Sequence, residues 1–146
     1  MVNERVVLDR LQTLQSYIHR LEPYREWTMR RLTEDPMTYA GVLHHLQLAA
    51  QIVLDVSAHL NSALQLEPVS GYGEAIRHLG RAGVLPRDFS ERLAELAGFR
   101  NVLVHEYLTV DPLRVYEALE AGLHDLRTFN VYITAFLKEE GTIQRE

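Results

Sequence analysis

The sequence predicts an all-α protein, an up-and-down bundle of about five helices that residues 1–146 form as a single domain. Apolar residues recur at the spacing of a helix face through most of the chain. Glycine and proline are few, 8 and 5 respectively, and fall between these periodic segments. A chain of 146 residues is long enough for one sizeable core, and no internal repeat, low-complexity tract or linker divides it.

The first helix is predicted over residues 3–22, where apolar residues follow a 4-3-4-3 spacing. The residues on this face are Val7, Leu11, Leu14, Ile18 and Leu21. Pro23 either ends the helix or kinks it, in which case the helix continues through Trp27 towards Leu32. The sequence offers no basis for choosing between these two.

The second helix is predicted to begin at Asp35-Pro36, an N-cap followed by proline, and to run to about Gln65. Between Thr38 and Leu66 its only charged residue is Asp55, and apolar residues occupy both faces. One face carries Leu46, Ala49, Val53, Leu60 and Leu64, and the other carries His44, Leu48, Gln51, Ile52, Asp55, His59 and Ser62. Because such helices are usually buried all round, we expect the mixed face to meet a cleft or the second subunit of a homodimer.

The third and fourth helices are predicted from shorter signals. A loop at 70–73 precedes a short helix over 74–81, which Gly83 closes. The fourth helix is predicted over 88–107, with Ser90 as an alternative cap.

The fifth helix is predicted to begin at Asp111-Pro112, which repeats the cap-plus-proline signal. It should end at about Glu140, before Gly141. Together with the first, second and fourth helices it would form the core of the bundle.

Composition and charge exclude several classes of protein. The chain has no cysteine, which excludes disulfides and thiolate chemistry and fits a reducing compartment. Its N-terminus lacks an apolar signal core, and no run approaches the roughly 20 apolar residues of a membrane helix. We therefore expect a cytoplasmic protein with no membrane partner. The net charge of −5 argues against a general nucleic-acid coat but leaves room for a local basic cleft.

Several familiar motifs are absent from the sequence. There is no Gly-rich phosphate loop, no His-Glu-x-x-His, and no strand to carry a hydrolase nucleophile. His44 and His45 point about 100° apart on a helix and lack an acidic ligand at metal spacing, so no metal site is expected. Helix-turn-helix DNA binding is disfavoured because the fourth helix carries Asp88, Glu91 and Glu95 on its outer side.

The most informative stretch is residues 99–107, Phe-Arg-Asn-Val-Leu-Val-His-Glu-Tyr. On a helix, Arg100 falls in the middle of the apolar stripe, about 20° from Leu93 and about 40° from Val104. A guanidinium in that position is costly unless a carboxylate, a phosphate or a cleft receives it. Asp55 of the second helix is the natural carboxylate partner.

Three further polar side chains accompany Arg100. Asn101 and His105 are four residues apart and share a face at the edge of the stripe. Tyr107, seven residues after Arg100, returns to within about 20° of it. The stretch is therefore either a functional site or a structural pair of Arg100 with a carboxylate among incidental neighbours.

The run Arg100-Asn101-Val102-Leu103-Val104-His105-Glu106-Tyr107 resembles the Arg-x4-His-x-Tyr motif of HepT-like HEPN domains, including the Asn that commonly follows the Arg. One departure is Gln51, where many relatives carry Glu. The resemblance covers most of residues 5–137, with further similarity at 46–55, 72–75, 82–85 and 115–119.

The resemblance implies the toxin of a toxin–antitoxin pair, a metal-independent endoribonuclease that needs no cofactor. Its antitoxin would be a small nucleotidyltransferase of the MNT type, which can transfer AMP to the motif tyrosine, Tyr107. The chemistry is compatible, because RNA cleavage without metal needs a group to take the 2′-hydroxyl proton and neutral imidazole suits this at physiological pH. His105 would be the general base or acid. Arg100 would clamp the phosphate, and Asn101 would orient it or donate to it.

Within one helix, Arg100 and His105 lie about 140° apart, so one copy makes a poor site. Two copies facing across a symmetric homodimer would supply both groups to one cleft. Two alternatives remain open at this point. The first is a HEPN-type domain that binds nucleotide or RNA without cutting it. The second is a scaffolding helical protein in which Arg100 and Asp55 only join two helices.

Overall fold

The computed structural model describes residues 2–145, and within them the chain contains no strand. The α-helices are α1 Glu4–Leu21, α2 Met29–Thr33, α3 Pro36–Ala63, α4 Tyr72–Arg81, α5 Arg87–His105, α6 Pro112–Glu117 and α7 Leu123–Arg145. Two 3-10 turns, Glu22–Glu26 and Tyr107–Thr109, and a π-helical turn, Ala118–Gly122, connect some of them. The predicted all-α bundle is confirmed.

The first helix forms as predicted, and its predicted apolar face is the face it buries. All five residues of the 4-3-4-3 pattern are at most 2% exposed. The Asn3 side chain caps α1 by accepting a hydrogen bond from the Val6 backbone N–H. The open question at Pro23 is answered by a 3-10 turn, after which Trp27 adopts an extended backbone and Thr28 caps the short α2. The helix therefore ends at Leu21 instead of kinking.

Helix α3 is the central helix of the bundle, because α1, α4 and α5 all pack against it. Asp35 caps it through a 3.3 Å hydrogen bond from the Thr38 backbone N–H, as predicted. This position explains part of its two-sided apolarity, since neighbours from the same chain bury Ile52 of the mixed face to 4% exposure. The rest of that face is exposed or half-buried, so its cover by a second subunit stays a prediction.

Helices α4 and α5 cross at unusually short range. A Cβ placed on Gly80 would lie 2.7 Å from the Cβ and 2.0 Å from the Oγ of Ser90. Ser90 is 1% exposed and donates its hydroxyl to the Arg87 carbonyl at 2.7 Å. It is thus a packing residue within α5, and the alternative that it caps this helix is wrong.

Two predicted helix ends differ from the structure. Helix α5 stops at His105, because Glu106 leaves the helical region with φ −136° and ψ 31°. Tyr107 therefore lies on the following 3-10 turn, outside the helix that was predicted to contain it. The last helix begins at Pro112 as predicted, passes through the π-helical turn and continues to Arg145, beyond the end predicted at about Glu140.

None of the helices in the described part of the chain combines the length and the apolar character that a bilayer span requires.

Candidate functional site

Arg100 projects from α5 towards α3. It is half-buried, and its neighbours on the same stripe, Leu93, Ala97 and Leu103, are between 2% and 7% exposed. Its Nε–H donates to Oε1 of Gln51 at 2.8 Å. The guanidinium therefore lies on an apolar helix face but has a polar partner on the facing helix. A half-buried charge needs such a hydrogen bond to offset its loss of hydration.

Gln51 connects Arg100 with the predicted partner Asp55. Its Nε2 donates to Oδ1 of Asp55 at 2.8 Å, one turn further along α3. The amide thus accepts from the cation with its oxygen and donates to the carboxylate with its nitrogen, which determines its orientation. From the sequence, Gln51 was only a position where the acidic residue of many relatives is absent. Its role as the link between Arg100 and Asp55 was therefore missed.

Asn101 and His105 occupy the open side of α5. The Oδ1 of Asn101 accepts a hydrogen bond from Nη1 of Arg100 at 3.1 Å, which leaves the amide NH₂ as the group able to donate elsewhere. His105 is the last residue of α5, and its side chain is exposed. The structure therefore joins Arg100, Asn101, Gln51 and Asp55 by hydrogen bonds and places His105 one turn beyond Asn101 on the exposed face.

Tyr107 lines a groove between α3 and the end of α5. It is 51% exposed, and the groove has a volume of about 290 Å³. The walls are Leu103 and Val104 from α5 and Ala40, Leu43, His44 and Gln47 from α3. The role of His44 and Gln47 beside Tyr107 was missed from the sequence, because the two walls are about 60 residues apart in the chain. Their three-residue spacing on the edge of α3 was the only signal.

A half-buried tyrosine, Tyr39 of α3, has a buried hydroxyl with a shifted pKa. The hydroxyl of Tyr39 has no hydrogen-bond partner in the described part of the chain. Burial raises the pKa of Tyr39, and the negative charge of Asp111 raises it further. The phenol therefore stays protonated to a higher pH than an exposed tyrosine would. As for metals, no group of three or more His, Asp or Glu side chains converges within the described residues in a way that could hold an ion.

Comparison with known proteins places this arrangement in a family. The profile of a family described as ribonuclease HepT-like matches residues 14–144. A curated relative from Aphanizomenon flos-aquae, named tRNA nuclease HepT, is 33% identical over 99 residues, which are 65% of this chain and 67% of the relative. A second, from Shewanella oneidensis and named mRNA nuclease HepT, is 21% identical over 125 residues, which are 85% and 92% of the two chains.

The fold is also that of a solved structure. A tri-AMPylated Shewanella oneidensis HEPN toxin, solved in complex with an MNT antitoxin, superposes with a TM-score of 0.80 at 21% identity. The superposition covers 92% of this chain and 99% of that one, which confirms the HEPN-like bundle. With the family profile spanning most of the sequence, the chain belongs to the HepT-like ribonuclease family.

Proposed function

We propose that this chain is the toxin of a toxin–antitoxin pair and cleaves RNA as a metal-independent endoribonuclease. The observation that carries the proposal is the fixed orientation of the Arg100 guanidinium. Its Nε–H donates to Gln51 of α3, and its Nη1 donates to Asn101 at the open edge of α5. A guanidinium fixed in this way is prepared to bind a phosphate with two parallel hydrogen bonds. The two curated relatives named as nucleases of tRNA and of mRNA support RNA as the substrate class.

The reaction needs a proton acceptor and a charge stabiliser. As general base, His105 would remove the 2′-hydroxyl proton, and the 2′ oxygen would attack the adjacent phosphorus to form a 2′,3′-cyclic phosphate. The 5′ oxygen would leave with a proton from water. Arg100 would stabilise the additional negative charge on the phosphate oxygens, because a fixed cation needs no reorganisation during the reaction. Asn101 would contribute its free NH₂ to the same phosphate, since its oxygen already accepts from Arg100.

The site we propose is shared between two copies of the chain. Arg100 faces α3 while His105 lies about 140° around α5 and is exposed, so the two groups diverge within one copy. A two-fold axis beside α5 would place the His105 of one copy opposite the Arg100 of the other. The divergence of the two groups supports this homodimer, as do the residues of α3 that stay exposed or half-buried on its mixed face.

Tyr107 is the residue we propose for inactivation by a partner nucleotidyltransferase of the MNT type. Its side chain is half exposed on a short turn beside the groove, where a modifying enzyme can reach the hydroxyl. Transfer of AMP to that hydroxyl would add a phosphodiester charge and a nucleoside to the groove between α3 and the end of α5, in the path we propose for the substrate. The solved toxin described as tri-AMPylated supports a modification of this kind.

Cleavage of a labelled transcript in the presence of EDTA tests the nuclease. Wild type should cut it, whereas Arg100→Ala and His105→Ala should each lose about 100-fold or more in rate. Arg10→Ala and His19→Ala, which remove the same side-chain types from exposed positions on α1, are the matched controls and should retain the rate. Equal cleavage by all four variants would refute the mechanism, and loss of cleavage with EDTA would refute its independence of metal.

Mixing the two inactive variants tests the shared site. If Arg100 of one copy acts with His105 of the other, a heterodimer of Arg100→Ala and His105→Ala contains one intact pair and should regain part of the activity. If both groups act within one copy, no heterodimer contains an intact pair and the mixture should remain inactive.

For Tyr107, mass spectrometry after co-expression with the nucleotidyltransferase should locate AMP on the peptide that contains it. Full neutralisation of Tyr107→Phe would show that inhibition is by binding alone.

A further inference from the structure

A row of aromatic rings crosses the bundle from α1 to the groove beside Tyr107. The rings of Tyr17 and His45 lie 5.7 Å apart at 85°, and those of His45 and His44 lie 6.2 Å apart at 88°. His44 also lines the groove that contains Tyr107. We call Tyr17, His45 and His44 the ring row. None of the chemistry proposed above uses it.

A second groove lies between α1 and α3, and His45 of the ring row lines it. Its volume is about 340 Å³, and Arg20, Tyr24, Thr38 and His45 provide its polar lining. Gly41 lies on its wall, and a Cβ added there would meet nothing within 4 Å. Packing within the chain therefore does not require a glycine at position 41, although glycine inside a helix costs about 0.5–1 kcal/mol relative to alanine. The absent side chain leaves the groove open above the helix backbone.

The charged and hydrogen-bonding groups of this second groove suit a nucleotide, which combines a phosphate anion with a nucleobase. Arg20 lies over the ring of Tyr17 at 6.0 Å, and within the described residues no carboxylate comes within 4 Å of its guanidinium. The Nδ1–H of His45 donates to the Gly41 carbonyl at 2.8 Å, so Nε2 is the nitrogen left for a ligand. The nearby carboxylate of Glu22 is already bound to Arg25 and Arg127.

We infer that the ring row and the second groove bind single-stranded RNA that flanks the scissile phosphate, with bases against the rings and a backbone phosphate on Arg20. This inference rests on the proposed nuclease function and adds the path of its substrate. Proteins bind unpaired nucleotides with surfaces that combine aromatic rings and cationic side chains. The rings stack on the bases, and the cations bind the phosphates. The row leads directly from Arg20 to the groove of Tyr107, so one strand reaches both.

Binding of a fluorescent single-stranded RNA to the His105→Ala protein, in which cleavage is prevented, tests the inference. Adding Arg20→Ala should weaken binding by about five-fold or more and should reduce the slope of log K against log salt by about 0.7, the value for one lost phosphate contact on a single strand. Adding His45→Ala should weaken binding to a similar degree with little change in the slope. The matched control, Arg10→Ala, removes the same charge from another face of α1 and should change affinity by less than two-fold.

Equal affinities for the Arg20→Ala and Arg10→Ala proteins would overturn the inference, and because Arg20 is exposed, loss of folding would not explain a difference between them. If Arg20→Ala instead weakens binding of the purified nucleotidyltransferase and leaves RNA binding unchanged, the surface is a protein interface and the inference is wrong. A different result would refute the proposed nuclease function without refuting this RNA path. A wild-type chain that never cuts RNA, but binds it in a way that depends on Arg20, would refute the nuclease and retain this RNA path.

Discussion

Replacing Gly80 by alanine should destabilise the protein, although alanine is the better helix former. The new methyl group would lie 2.7 Å from the Cβ and 2.0 Å from the Oγ of Ser90, distances that side chains in contact do not adopt. Rotation of the hydroxyl relieves only the second of these contacts, because the Cβ of Ser90 belongs to the fixed part of α5. Helices α4 and α5 must therefore move apart.

The magnitude follows from two opposing effects. Gly→Ala in a helix interior stabilises by about 0.5–1 kcal/mol, while overpacking a tight core costs about 1–3 kcal/mol. The contact at Gly80 is severe and Ser90 is 1% exposed, so we expect the upper part of that cost. The net loss should be about 1–2 kcal/mol, which lowers the melting temperature of a chain of this size by about 2–8 °C.

Thermal and chemical unfolding measure this effect, with Gly98→Ala as the matched control. Gly98 lies on α5, and a Cβ added there meets nothing within 4 Å, so that substitution should stabilise by about 0.5–1 kcal/mol. In a Ser90→Gly background, Gly80→Ala should lose most of its cost, giving a coupling energy of about 1 kcal/mol or more. If Gly80→Ala raises the melting temperature as much as Gly98→Ala does, the close contact of α4 and α5 is not what the structure indicates.

Three further predictions concern single polar groups. Gln51→Leu removes both the acceptor for the motif arginine and the donor to Asp55, and should lower the free energy of unfolding by about 1–2 kcal/mol and slow RNA cleavage; unchanged cleavage would separate this contact from function. Tyr39→Phe removes a buried hydroxyl without a partner, so its stability should equal or exceed that of wild type, and a loss above about 1 kcal/mol in urea unfolding would reveal a bond. The hydrogen bond and charge of Arg127 lower the pKa of Glu22, so the carboxylate stabilises the fold above its unfolded-state pKa and this contribution is lost as pH falls through the lower folded-state value. Glu22→Gln should therefore be less stable than wild type at pH 7 and approach it at acid pH, and a constant difference across unfolding curves from pH 7 to 3 would contradict this linkage.

Local signals in the sequence determined most of the helix starts. Asp35 and Asp111, each followed by proline, cap α3 and α6 where the sequence predicts, because an N-cap depends on neighbouring residues only. The apolar spacing of α1 similarly determined its buried face. The placement of Arg100 in an apolar stripe was also correct, since position around a helix follows from residue number alone.

What only the tertiary structure decided were distances between residues far apart in the chain. Periodicity gives the direction of Arg100 but not its partner, and the facing helix presents the amide of Gln51 there, with Asp55 behind it. Apolar residues on two faces of α3 predicted burial, but the sequence could not say whether the same chain or a second copy provides the cover. The backbone turn at Glu106 likewise places Tyr107 beside α3 instead of on α5. Each of these outcomes depends on how helices pack, which is a balance over many weak contacts that no short stretch of sequence contains.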